Sequence, residues 1–195
     1  VGAAEMLIDG ASYQNNSQNP GTSNRVVTLT EVQDSGGTAN GGSDTATLSV
    51  ASTVSVTGVN DAPTLTATGS NPTFTEGGAA GSLFSGTSIS TVEAGQTIEG
   101  LTLTVAGLVD GAGETLTLDG TAIGLSDGAS GTTATNSLSY SVSVVGTTAT
   151  LSLTGGTLSV GAAEMLIDGA SYQNNSQDPG TSNRVVTLTE VQDSG

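Results

Sequence analysis

The sequence predicts an all-β chain of antiparallel β-sandwich modules in tandem, with one short helical turn per repeat. Three observations carry this. Short runs alternate apolar and polar side chains with a period of two, as in Leu101-Thr102-Leu103-Thr104-Val105, and no long helical pattern interrupts them. The stretches between runs are rich in Gly, Ser and Thr; the 29 glycines supply turns, and the threonines suit the outer faces of strands. Residues 1–36 recur as residues 160–195 with one change, Asn19 to Asp178, an offset of 159 residues.

Taken in order, residues 3–10 carry helix formers followed by Gly10 as a stop, which predicts a helical turn; a strand through Met6–Ile8 is the competing reading. Ser12-Tyr13-Gln14 can start a strand. Asn15–Asn24 reads as a polar loop with a Pro20-Gly21 turn. Arg25–Val32 predicts a strand with Val27, Leu29 and Glu31 on one face. Asp34–Gly42 is a glycine-rich loop closed by Asp44. Thr45–Val50 and Thr53–Thr57 alternate as two strand segments with a bend at Ala51-Ser52. Further strands are expected at 64–69, 98–108 and 114–123, with a hairpin of 137–145 and 148–153 around Gly146. Phe74 and Leu83-Phe84 flank a Glu76-Gly77-Gly78 turn. The repeat is long for a minimal sandwich, which predicts extra hairpins within 106–160.

Charge excludes several classes. Eighteen acidic residues face two arginines, a formal charge of -16, so neither nucleic-acid phosphate nor an anionic membrane surface is an expected partner. Without cysteine or histidine there is no disulfide, no thiol chemistry, no ordinary general base and no common zinc ligand. No apolar run is long enough to span a bilayer, so no direct membrane insertion is expected.

Gly58-Val59-Asn60-Asp61-Ala62-Pro63 reads as the joint between repeats. Pro63 blocks continuation of a central strand, and Asn60 and Asp61 offer oxygen ligands. Breaking the chain there makes residues 1–61 the C-terminal part of one β-sandwich repeat. Residues 62–195 become the N-terminal and central part of the next, lacking the equivalent of 37–61. Three arrangements fit: a window on a longer array, strands supplied by a neighbour, or a permuted module in which 1–61 folds back onto 62–159.

Val59-Asn60-Asp61-Ala62-Pro63 resembles the junction between the cadherin-like repeats, of VCBS type, of giant bacterial surface adhesins. The likeness extends to Tyr13–Thr30 with Asp34-Ser35-Gly36-Gly37, to Tyr172–Pro179 with Arg184–Thr189, and to the Glu76-Gly77-Gly78 turn. It implies Greek-key immunoglobulin- or cadherin-like folds in series, on a secreted or surface-anchored bacterial protein. It further implies a non-catalytic extender that holds a binding tip away from the cell, with calcium stiffening the joints. The sequence departs from the strongest cadherin pattern where Asp34 is followed by Ser-Gly-Gly rather than by a second carboxylate.

Calcium takes six to eight hard oxygens, so the candidate ligands are carboxylates and amides at module ends. They are Asn60 and Asp61 at the joint, Glu76 in its turn, Asp34 with its copy Asp193, Asp44, and the glycine-flanked group Asp110, Glu114 and Asp119. Glu5, Asp9, Glu164 and Asp168 read as solvated charges near the helical turn. Arg25 and Arg184, the only cations, read as structural, each paired across the sheet; Asp9 or Glu31 is the nearest partner for Arg25. Tyr13 and Tyr172 read as core or corner residues. Asn15 and Asn174 match a glycosylation sequon within an Asn-rich loop. The expected partners are neighbouring copies of the repeat, in the same chain or by strand exchange. Two alternatives to the extender remain: a strand-complemented subunit of a filament or surface layer, which would expose an open edge, and a carbohydrate- or surface-binding adhesin module.

Overall fold

The computed structural model describes residues 2–195 as mostly β-strands in several antiparallel sheets, with few helices. It divides into two compact units, Val1–Val59 and Asn60–Gly195. The division falls just ahead of Asn60 because Asn60 and Asp61 hydrogen-bond within the second unit, to Asp193 and Glu93. Among the described residues no helix is long and apolar enough to cross a membrane.

The first unit holds helix α1 (Gly2–Asp9) and a hairpin of β1 (Arg25–Gln33) with β2 (Thr45–Val54). β2 is continuous through Ala51-Ser52, where the sequence suggested a bend; both residues pair, with Thr28 and Val27. No residue of 2–59 is buried. A lone two-stranded hairpin of this kind is marginal by itself.

The second unit holds the core. Its strands are β3 (Thr64–Gly69), β4 (Gly81–Ser82), β5 (Phe84–Ser90), β6 (Ile98–Ala106), β7 (Glu114–Leu118), β8 (Thr121–Gly124), β9 (Ser130–Thr132), β10 (Ser139–Val145), β11 (Thr148–Thr154), β12 (Ser171–Asn174) and β13 (Val185–Asp193). They form a five-stranded sheet ordered β13-β6-β11-β10-β9, a four-stranded sheet ordered β4-β12-β7-β8, and the pair β3-β5. Leu101, Leu103 and Val105 of β6 point inward, as their alternation with threonine dictates, and meet Leu151 and Leu153 of β11. Leu116, Leu118 and Ile123 from the four-stranded sheet belong to the same apolar cluster. Each such buried side chain contributes about 1.5–3 kcal/mol.

The 114–123 run is two strands rather than one. Asp119 (φ 49°) and Gly120 (φ 75°) form its tight turn, and an Asp-Gly pair supplies the two left-handed residues this hairpin geometry requires. Gly146 (φ 61°) opens the two-residue turn between β10 and β11.

Helix α2 (Val160–Asp168) begins at Ser159, whose side chain accepts from Ala162 N–H at 3.2 Å. It buries Ala163, Leu166 and Ile167, an i, i+3, i+4 stripe. Its opposite chemistry is equally specific. Glu164 and Asp168, one turn apart, accept from the backbone N–H groups of Ile89 (2.9 Å) and Thr87 (3.0 Å), and Asp168 also takes the Thr87 hydroxyl at 2.6 Å. These two carboxylates therefore cap an edge of β5 rather than standing solvated as the sequence suggested.

The face shared by Leu29 and Glu31 in the sequence reading is not shared in β13. A bulge between Leu188 and Glu190 turns Glu190 outward to Thr102 and brings Val191 against the core.

Candidate functional site

The candidate residues fall into three groups. The most buried lies where β7 begins. Glu114 is fully buried, and both of its oxygens are occupied. Arg184 donates through Nε at 2.9 Å and Nη2 at 3.1 Å, Tyr172 through its hydroxyl at 2.7 Å, and Val109 and Asp110 through backbone N–H, each at 2.9 Å. Arg184 also reaches Asp110 at 2.7 Å and the carbonyls of Gly180 and Ser182. Asp110 accepts from Asn174 at 2.6 Å and from Gly180 N–H. Phe74 meets Tyr172 edge-on, with ring centroids 5.9 Å apart.

Burial alone would raise the Glu114 pKa, but the Arg184 guanidinium, the two N–H donors and the Tyr172 hydroxyl outweigh it and hold the carboxyl below its ordinary value. The same contact raises Arg184, while burial and then Glu114 push the Tyr172 phenol up. A carboxylate depressed in the folded state stabilises above its unfolded value and loses that contribution as pH falls through the folded one. Stability of the second unit is therefore expected to decline below about pH 4.3, the ordinary glutamate value. Denaturation midpoints between pH 6 and pH 3 check this. The decline is expected to be smaller in Glu114→Gln, which has no proton to gain there.

Arg184 thus pairs with carboxylates 70 and 74 positions away in sequence. Arg25 corrects the sequence expectation: it pairs with neither Asp9 nor Glu31, and its guanidinium donates to the carbonyls of Ser23 and Gly21. The carboxylates that hold Arg184 come from outside the repeated stretch, so copy one has no equivalent of them at hand. Tyr172 is buried in the core, whereas Tyr13 is exposed. Asn174, within its sequon, is also buried, its amide spent on Asp110.

Asp119 stands apart from Asp110 and Glu114. Its carboxylate accepts from the Thr133 hydroxyl at 2.5 Å, from Asn136 N–H at 2.8 Å and from the Asn136 amide at 2.5 Å, tying the β7–β8 turn to the 133–136 loop. The three acids that read as one glycine-flanked group are two separate structural contacts.

The third group is the joint. Asn60 donates to Asp193 at 3.4 Å and meets the Gln96 amide; Asp61 N–H donates to Glu93 at 3.3 Å. Asp193 is buried and also accepts from Gly195 N–H at 3.1 Å. Pro63 is half-buried just ahead of β3. In the first unit Asp34, the copy of Asp193, donates its N–H to the Asp44 carbonyl at 2.7 Å. Hydrogen bonds from Gln33 and then Thr45 lower the Asp44 carboxyl. Glu76 is exposed in the turn after Phe74.

Glu93, Glu164 and Asp168 were missed as organising carboxylates. The i, i+4 spacing of the latter two on the helix was the available signal; Glu93 carried none. Among the described residues no three carboxylates converge on one point that could hold a metal ion. No family model matches the chain, and no curated protein and no solved structure matches it.

Proposed function

We propose that the chain is a non-catalytic spacer from a large extracellular bacterial adhesin, built of tandem Greek-key immunoglobulin- or cadherin-like sandwiches and stiffened by calcium at the module ends. One observation carries this reading. The chain arrives at the second unit through Asn60, beside Asp193 at the C-terminal end of β13. In copy one, β2 leaves at Val54, opposite Arg25, the equivalent of Arg184 at the N-terminal end of β13. A module completed by the repeat would thus receive the chain at one end and release it at the other. Nine residues of strand put those ends about 30 Å apart. Such modules add length with each copy.

The two copies support a single completed sheet. Asp34 N–H points to β2, through Asp44, whereas Ser194 N–H, one residue beyond the equivalent Asp193, points to Thr97 on the β6 side. Successive N–H groups of an extended strand face opposite edges, so β2 and β6 suit the two edges of one strand. The hairpin also puts Asp44 level with Asp34. At the Asn60 end of a complete module the oxygen donors are then Asn60, Asp61, Glu93, Asp193 and an Asp44 equivalent. Their chemistry fits calcium, and backbone carbonyls would have to complete the six to eight ligands. The ion would hold charged groups that otherwise repel, and binding the folded state alone adds stability by mass action.

Calcium titration calorimetry on a chain spanning two complete repeats tests this, with Asp61→Asn beside it. Saturable heat that weakens in the variant is expected. No calcium heat in either chain would end the clamp reading. The strand-complemented filament is the second reading, favoured by β13 lying at the edge of its sheet.

A further inference from the structure

The two copies of the repeated stretch carry the same side chains in opposite environments. Leu166 is 5% exposed and its equivalent Leu7 78%; Ile167 is 1% exposed and Ile8 46%; Tyr172 is 8% exposed and Tyr13 42%. Ser171–Asn174 is a strand between β4 and β7, while residues 12–15 form none. Arg184 is held by Asp110 and Glu114, and Arg25 by nearby carbonyls only. Each difference has the same source: residues 64–159 pack on copy two.

We propose that segment 2–59 is an acceptor surface for a second copy of residues 64–159, docked as this chain's own 64–159 docks on 160–195. The occupant is identified by the match itself. Residues 2–36 of it are identical to 161–195 at every position but Asn19, and 161–195 are already covered by that segment within this molecule. The β6 of the second copy would run antiparallel to β1, with Val26 opposite its Ala106 and Leu29 opposite its Leu103, following the β13 register. Its Asp110 and Glu114 would receive Arg25. β2 is no obstacle, because it occupies the other edge of β1. Leu7, Ile8 and Tyr13 would enter the second copy's core.

The inference deepens the repeat reading by naming what covers copy one. Its test is hydrogen exchange read by mass, so it can fail while calcium binding holds, and the reverse. Gly2–Asp9 and Gly161–Asp168 are the same peptide. From the chain alone, that peptide is expected as two envelopes of equal weight, one exchanging about 100-fold or more faster than the other. The second protein is the full chain with residues 64–159 joined ahead of Val1, repeating the Ser159–Val160 junction. There the fast envelope is expected to merge into the slow one. Adding Arg25→Met to the extended chain is expected to bring the fast envelope back. A fast envelope that persists in the extended chain would overturn the proposal. So would a single slow envelope from the chain alone, which would mean that something else covers copy one. Protection indifferent to Arg25→Met would overturn the docking geometry.

Discussion

Arg184→Met is expected to destabilise the second unit by about 3–5 kcal/mol, because it strands Glu114 as a buried charge without its counter-ion. The carboxylate would keep the Tyr172 hydroxyl and two N–H donors but lose two of its five hydrogen bonds and the only cation near it. Asp110 would lose its ion pair as well. The duplicated sequence supplies a control that few proteins offer. Arg25→Met changes the same residue in the same local sequence, but Arg25 contacts only backbone carbonyls, and a surface change of that kind costs within about 0.5 kcal/mol. Urea denaturation of the 195-residue chain and both variants reads the difference. Equal losses, or a loss below about 1 kcal/mol for Arg184→Met, would contradict a buried pair. Replacing Glu114 and Arg184 together by apolar residues is expected to cost less than Arg184→Met alone, since of the two carboxylates only Asp110 is then left without the guanidinium.

Leu166→Ala is the second large effect. Leu166 lies on the buried stripe of α2, and truncating it opens a cavity in the single apolar cluster that joins the helix to the sheets. Changes of this type cost about 2–5 kcal/mol, depending on how far the site can relax. Leu7→Ala, its equivalent in α1, removes a side chain that faces solvent and is expected to fall within about 0.5 kcal/mol. Thermal unfolding of the two variants measures the contrast. It tests whether helical sequence or tertiary contact supplies the stability, because the local sequence is constant between them.

The β character, the helical turns and the repeat were legible because each is local. Alternation in 101–105 sets which side chains turn inward, and the Gly10 and Gly169 stops end each helix. The Asp119-Gly120 turn was equally local and was read through as part of one strand. The β13 bulge was less accessible, since alternation reads smoothly across Leu188–Glu190 and only pairing with β6 reveals the extra residue. The carboxylates were legible as a class but not as contacts. Glu114 meets Arg184 across 70 residues and Asp193 meets Asn60 across 133, separations at which charge pattern carries no information. Choosing sequence neighbours for Arg25 failed for that reason. The clearest limit is the repeat itself. Residues 7 and 166 share a sequence context yet differ from open solvent to a packed interior, so burial there belongs to the partner segment and not to the residues that are buried.

In the completed module proposed above, arrival and departure at opposite ends of β13 would bear on mechanical load. The ladder bonds between β13 and β6 run crosswise to the strands, as in any antiparallel pair. Tension applied at Asn60 and at a β2-type exit would act along the strands. It would load the whole ladder in shear, where the bonds resist together, and would not peel them one at a time from an end. If the chain serves as the spacer proposed above, tension would then be released by abrupt loss of a whole module, each release adding a long segment of slack.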